Sequence, residues 1–141
     1  MRLLLFTDYS LKLLMYVAVN HGPSTIGGCA RTYKIPKKHL EKVAPKLVAH
    51  GFLTSVLGRN GGLAMSRPPE EISIGSVVRI TENDFEMAEC FSNQNACLIT
   101  APCRLKSILK EALDEFLTVL DNHSLASLVV SNTELRSLLS A

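Results

Sequence analysis

The stretch Ile35–Met65, IPKKHLEKVAPKLVAHGFLTSVLGRNGGLAM, decides the fold. Ile35-Pro36 marks a turn into a helix, with Pro36 near the first helical position, where its missing N–H is harmless. Leu40, Val43, Leu47 and Val48 recur at helical spacing and give a buried side. Lys37, Lys38, His39, Glu41, Lys42 and Lys46 crowd the remainder, and Gly51 stops the helix after about His50. Pro45 deletes one backbone hydrogen bond and is predicted to kink or shorten it, which places the base-reading residues N-terminal to it. Two strand-like runs follow, Phe52–Leu57 and Leu63–Met65, around Gly58-Arg59-Asn60-Gly61-Gly62. Asn-Gly between such runs predicts a hairpin, because both residues tolerate positive φ. A basic helix followed directly by a β-hairpin reads as a recognition helix and its wing.

Upstream, residues 7–21 are predicted to be a helix, capped by Thr7 or Asp8. A second, short helix runs from Ser24 as cap to Tyr33, weakened by Gly27 and Gly28. Short helix, turn, basic helix is the helix-turn-helix pattern, with the third helix in the major groove. The fold class is therefore mainly α with a small β-hairpin wing: a winged helix-turn-helix followed by a long dimerisation helix. Candidate DNA contacts are Lys37, Lys38, His39 and Lys42 on the helix and Arg59 and Asn60 on the wing. Arg59 would reach a phosphate or the minor groove; its plainer reading is a solvated turn residue. Residues 1–67 hold ten Lys/Arg against two acidic residues, a net +8, whereas residues 68–141 hold five against eleven, a net −6. A basic half suits a polyanion such as double-stranded DNA.

Downstream, Ile74–Ile80 reads as a connecting helix. Residues 83–101 form a loop with little periodicity, of a length that is usually functional or disordered. Cys103 to about Asn122 reads as one long helix whose apolar stripe is wider than a small winged domain needs. Burial of Leu109, Leu113, Phe116 and Leu120 against a second copy predicts a homodimer; packing against the first helix is the alternative. Ser124–Ala141 reads as one or two short helices. The chain thus divides into a DNA-binding region (1–82), a cysteine loop (83–103) and a dimerisation helix with C-terminal helices (104–141).

The sharpest chemical feature is Cys90-x6-Cys97-x5-Cys103, three thiols within fourteen residues. Soft thiolates suit zinc or an iron–sulfur cluster, and the close Cys-x2–4-Cys hooks usual for zinc are absent. Three ordinary buried or redox thiols are the plain alternative. Cys29 stands apart and reads as a small core residue. No membrane span, no signal peptide, no Cys-x-x-Cys and no nucleotide-binding glycine motif is present, so a cytoplasmic protein that is not an enzyme is expected.

Several stretches carry a resemblance: Phe6-Thr7-Asp8-Tyr9, His39-Leu40-x-Lys42-Val43, Gly58-Arg59-Asn60-Gly61-Gly62, the three-cysteine loop, and Ile99-Thr100-x-Pro102-Cys103-Arg104-Leu105. Together they resemble the Rrf-two-type family of iron–sulfur winged-helix regulators, most closely its nitric-oxide-sensing repressors. The resemblance implies a homodimer with crossed long helices and a cluster in each loop, [4Fe–4S] rather than [2Fe–2S]. It implies metal ligands at Cys90, Cys97, Cys103 and, from the partner subunit, Asp8; on sequence alone Asp8 reads as a helix cap. It also implies nitric oxide as the signal that releases the operator. Iron- or redox-responsive relatives share the three cysteines, and a zinc-stabilised DNA-binding protein is the further alternative. A related branch uses a histidine three residues after its last cysteine, where this chain has Lys106, a poor ligand.

Overall fold

The structure is a computed structural model that describes residues 2–140. Its elements in order are α1 (Leu5–Val19), α2 (Ile26–Tyr33), α3 (Lys37–Ala49), β1 (Leu53–Val56), β2 (Gly62–Met65), α4 (Ile74–Thr81), α5 (Leu105–Asp121), α6 (Leu125–Val129) and α7 (Thr133–Leu139). The β1–β2 pair is antiparallel, with Leu53 opposite Met65 and Val56 opposite Gly62. Helices α1 to α3 close around Leu13, Leu14, Tyr16, Leu40, Val43 and Leu47, and the hairpin adds Phe52, Leu53 and Leu63. A smaller cluster of Val19, Val129 and Leu139 ties the last two helices to α1.

Helix α1 starts at Leu5, two residues before the expected Thr7, and neither Thr7 nor Asp8 caps it. Its cap comes from far along the chain. Glu82, the residue that ends α4, accepts the Leu4 N–H at 2.9 Å and the hydroxyl proton of buried Thr7. The cap of α2 is Thr25, not Ser24: its Oγ1 accepts the Gly28 N–H at 3.0 Å. Gly28 is there because a Cβ would lie 2.5 Å from the Tyr16 hydroxyl.

Pro45 does not shorten α3, which continues to Ala49. The proline lies on the exposed side, where water can satisfy the carbonyl that its missing N–H leaves free. The hairpin is as expected but its turn is not. Asn60 does not adopt positive φ; the left-handed position falls on Gly58 at +108°, within a five-residue connection. Gly61 is required for another reason, since a Cβ would meet the Val56 carbonyl oxygen at 2.2 Å.

The long helix α5 begins two residues after Cys103 and packs on α4 rather than on α1. Gly75 permits the close crossing, because a Cβ would run into Asp121. The carboxylate of Asp121 is clasped by both terminal nitrogens of Arg79, one at 2.7 Å. This hydrogen bonding, with the guanidinium charge, holds Asp121 below the usual carboxylate range.

Candidate nucleic-acid interface and cysteine pocket

Lys37, Lys38, His39 and Lys42 are all exposed on α3, and Arg59 and Asn60 are exposed at the wing tip. The amphipathic spacing explains this: Leu40, Val43, Ala44 and Leu47 face the core, so the basic residues turn outward. Lys37 pairs with Glu41 at 3.3 Å, an exposed i,i+4 pair that leaves its ammonium available to a polyanion. His39 also rests its ring on Tyr9 of α1, with centroids 5.7 Å apart. The wing and α3 border one groove, which Lys37, Glu41, Val56 and Gly62 help to line. The basic helix and the hairpin are thus neighbours on one surface.

Cys90, Cys97 and Cys103 line a single cavity of about 150 Å³. All three are free thiols and half-buried. The loop is shaped by its own polar groups. Asn95 accepts the Cys97 N–H at 3.0 Å and donates to the Thr100 hydroxyl at 3.0 Å, which in turn donates to the Cys97 carbonyl at 2.9 Å. Glu89 accepts the Ala96 N–H at 3.0 Å, and the Cys103 N–H bonds the Ile99 carbonyl at 2.9 Å. Lys106 also lines this cavity, with its ammonium 5.9 Å from the Phe91 ring centroid. Among the described residues, no three His, Cys, Asp or Glu side chains form a site for a single ion. Three thiols around one cavity fit a polynuclear group better, since each cluster iron needs only one protein thiolate.

Asp8 is not brought to this cavity within the protomer. It lies in the first turn of α1 and holds Lys12 at 2.7 Å, and both side chains are partly exposed. The pair is a simple i,i+4 match legible from the sequence, unlike the Glu82 cap. Cys29 is fully buried, and desolvation pushes its thiol up to about 12, which makes it an inert core residue.

Of the predicted dimer stripe, Leu113 is buried inside the protomer and Leu109, Phe116 and Leu120 are half-buried there. The apolar residues of α5 that face outward are Leu105, Ile108 and Val119, each more than half exposed. The stripe is wide enough to serve two sides.

Helix-turn-helix, wing and exposed basic face together define a winged-helix transcription regulator rather than an enzyme. The family described as "Rrf2: Iron-dependent Transcriptional regulator" matches residues 5–131, and the chain belongs to it. The chain is 42% identical over 142 residues to the HTH-type transcriptional regulator NsrR of Shouchella clausii (strain KSM-K16), covering 99% of this chain and 95% of that one. It is 43% identical to the NsrR of Bacillus subtilis (strain 168), covering 99% and 97%. In fold it is similar to CymR, the global cysteine regulator of B. subtilis, with a TM-score of 0.73 at 22% identity over 94% of this chain and 98% of that one. It is likewise similar to T. potens IscR, with a TM-score of 0.72 at 22% identity over 91% and 85%. No helix among the described residues is long and apolar enough to cross a membrane.

Proposed function

We propose that the chain is a cytoplasmic, homodimeric repressor that senses nitric oxide through an iron–sulfur cluster. The observation that carries this is the single cavity shared by Cys90, Cys97 and Cys103. Those three thiolates would hold the cluster, [4Fe–4S] in preference to [2Fe–2S], and Asp8 of the partner subunit would supply the fourth ligand. When bound, the cluster supplies iron that is open to nitric oxide, most readily at a hard carboxylate among soft thiolates.

The chain's own residues determine what that ligation controls. Asp8 holds Lys12 through one carboxylate oxygen, and the pair is exposed enough that giving it up for ligation would cost little. Tyr9, the next residue, touches His39 on the DNA-facing helix, so a shift of α1 bears directly on α3. Lys37, Lys38, His39, Lys42, Arg59 and Asn60 contact the operator. Two copies meet through α5, whose outer apolar residues have no cover in one protomer.

A second reading is response to iron or redox state; the description of the matched family as iron-dependent favours it. Anaerobic purification tests the cofactor. A brown protein with visible absorption and iron bound supports the proposal. A colourless, zinc-loaded protein overturns it in favour of a purely structural metal.

A further inference from the structure

The cavity that gathers Cys90, Cys97 and Cys103 is also lined by Lys106, which the proposed ligand set does not use. Two tethers keep its ammonium there. Lys106 stands three residues after Cys103, in the first turn of α5. Its Nζ lies 5.9 Å from the ring centroid of Phe91, the residue next to Cys90. A contact of that length is a cation–π pair. Lys106 makes no ion pair among the described residues, whereas Lys110, one turn further along α5, holds Asp114 at 2.6 Å. An ammonium without a counter-charge thus stands beside three thiols.

A metal centre at this place needs such a charge. Three thiolates, with or without a carboxylate, outweigh the positive charge of an iron–sulfur core, so the loaded site is anionic. The side chains of Ala88, Ile99 and Leu105 line the cavity and offer it no hydrogen bonds. Glu89 lines it as well, and its carboxylate, which accepts the Ala96 N–H at 3.0 Å, adds negative charge. Enclosing net charge is unfavourable unless an opposite charge lies near. Among the described residues, no Lys, Arg or His other than Lys106 lines the cavity.

We propose that Lys106 is the counter-ion of the cysteine cavity: it does not ligate, but its ammonium offsets the charge of the bound cluster and so helps to retain it. The proposal rests on the iron–sulfur reading above. A protonated amine has donors but no lone pair for iron, so the residue that fails as a ligand serves as a cation.

The test is the rate at which full-length, cluster-loaded, anaerobic protein loses its visible absorption to bipyridine. This chelator of ferrous iron is uncharged, so the ammonium does not steer its approach. Lys106→Met keeps a long unbranched stem beside Phe91 and deletes the charge. It should lose its cluster about fivefold faster than wild type, as one partly screened charge near an anion warrants. Lys106→Arg should restore the wild-type rate. Lys110→Met, which removes the same charge one turn away, should leave it unchanged. High salt should speed the loss from wild type toward the rate of Lys106→Met and move Lys106→Met little. The cluster-free proteins should melt together, since Lys106 is exposed. The counter-ion is overturned, and the cluster reading left standing, if Lys106→Met keeps its cluster as long as wild type. The same holds if Lys106→Arg or Lys110→Met is as labile as Lys106→Met. A wild type that takes up no cluster overturns both. If cluster-free Lys106→Met melts low, the salt series of wild type decides, and a rate of loss indifferent to salt overturns the counter-ion.

Discussion

The carboxylate of Glu82 holds the hydroxyl of Thr7 across the interface between α4 and α1. One oxygen of Glu82 takes both this proton and the Leu4 N–H, so it replaces the side-chain cap that α1 lacks. Glu82 is also the last residue before the loop that leads to the three cysteines. The start of the loop and the start of α1 are therefore mechanically joined within one protomer.

Glu82→Ala should destabilise the protein by about 2–3 kcal/mol, because it removes a cap and strands the buried Thr7 hydroxyl. Glu82→Gln keeps an acceptor in place and should recover most of that loss. Thermal melts of the two variants beside wild type check this; equal melting temperatures for Ala and wild type would show that the contact contributes nothing.

On the basic face, Lys42→Ala and Arg59→Ala should each weaken DNA binding. If each residue meets a phosphate, its loss should flatten the plot of log affinity against log salt by about one unit. Unchanged affinity and slope in both variants would place the interface elsewhere.

For the proposed dimer interface, Ile108 gives a cleaner test than Phe116. Phe116 is half-buried within the protomer, so a charge there threatens the fold as well as the interface. Ile108 is 55% exposed and faces away from α4. Ile108→Glu should yield folded monomers by light scattering. A folded dimer of normal stability would remove the outer face of α5 from the interface.

Asp8 does not cap α1; it lies in the first turn of that helix and pairs with Lys12. Asp8→Asn breaks the exposed ion pair, which is worth about 0.3–0.5 kcal/mol in such i,i+4 positions, so folding should barely change. If Asp8 also ligates, the cluster-loaded variant should differ from wild type in visible spectrum and in its rate with nitric oxide. Matching spectra and rates would leave the fourth coordination position unassigned.

The helix-turn-helix and the hairpin were legible because Leu40, Val43 and Leu47 keep a strict helical period and a glycine-rich turn separates two short apolar runs. What escaped the sequence was long-range. Glu82 caps a helix 75 residues upstream, and no local pattern announces that. The Asn60-Gly61 signal gave the hairpin but the wrong turn, because Gly58 takes the left-handed position first. The α5 stripe showed its width but not which part α4 would cover. The three cysteines stood out by spacing, whereas only the folded loop shows them sharing one cavity.

The central claim is that cluster chemistry at Cys90, Cys97 and Cys103 controls DNA affinity. Its most direct test is a titration of cluster-loaded, anaerobic protein with nitric oxide, following visible absorption and affinity for a duplex that the wild type selects from a random-sequence library, in the same samples. The account predicts that affinity falls at least tenfold in step with bleaching of the cluster. A bleached protein that holds DNA as tightly as before would contradict it.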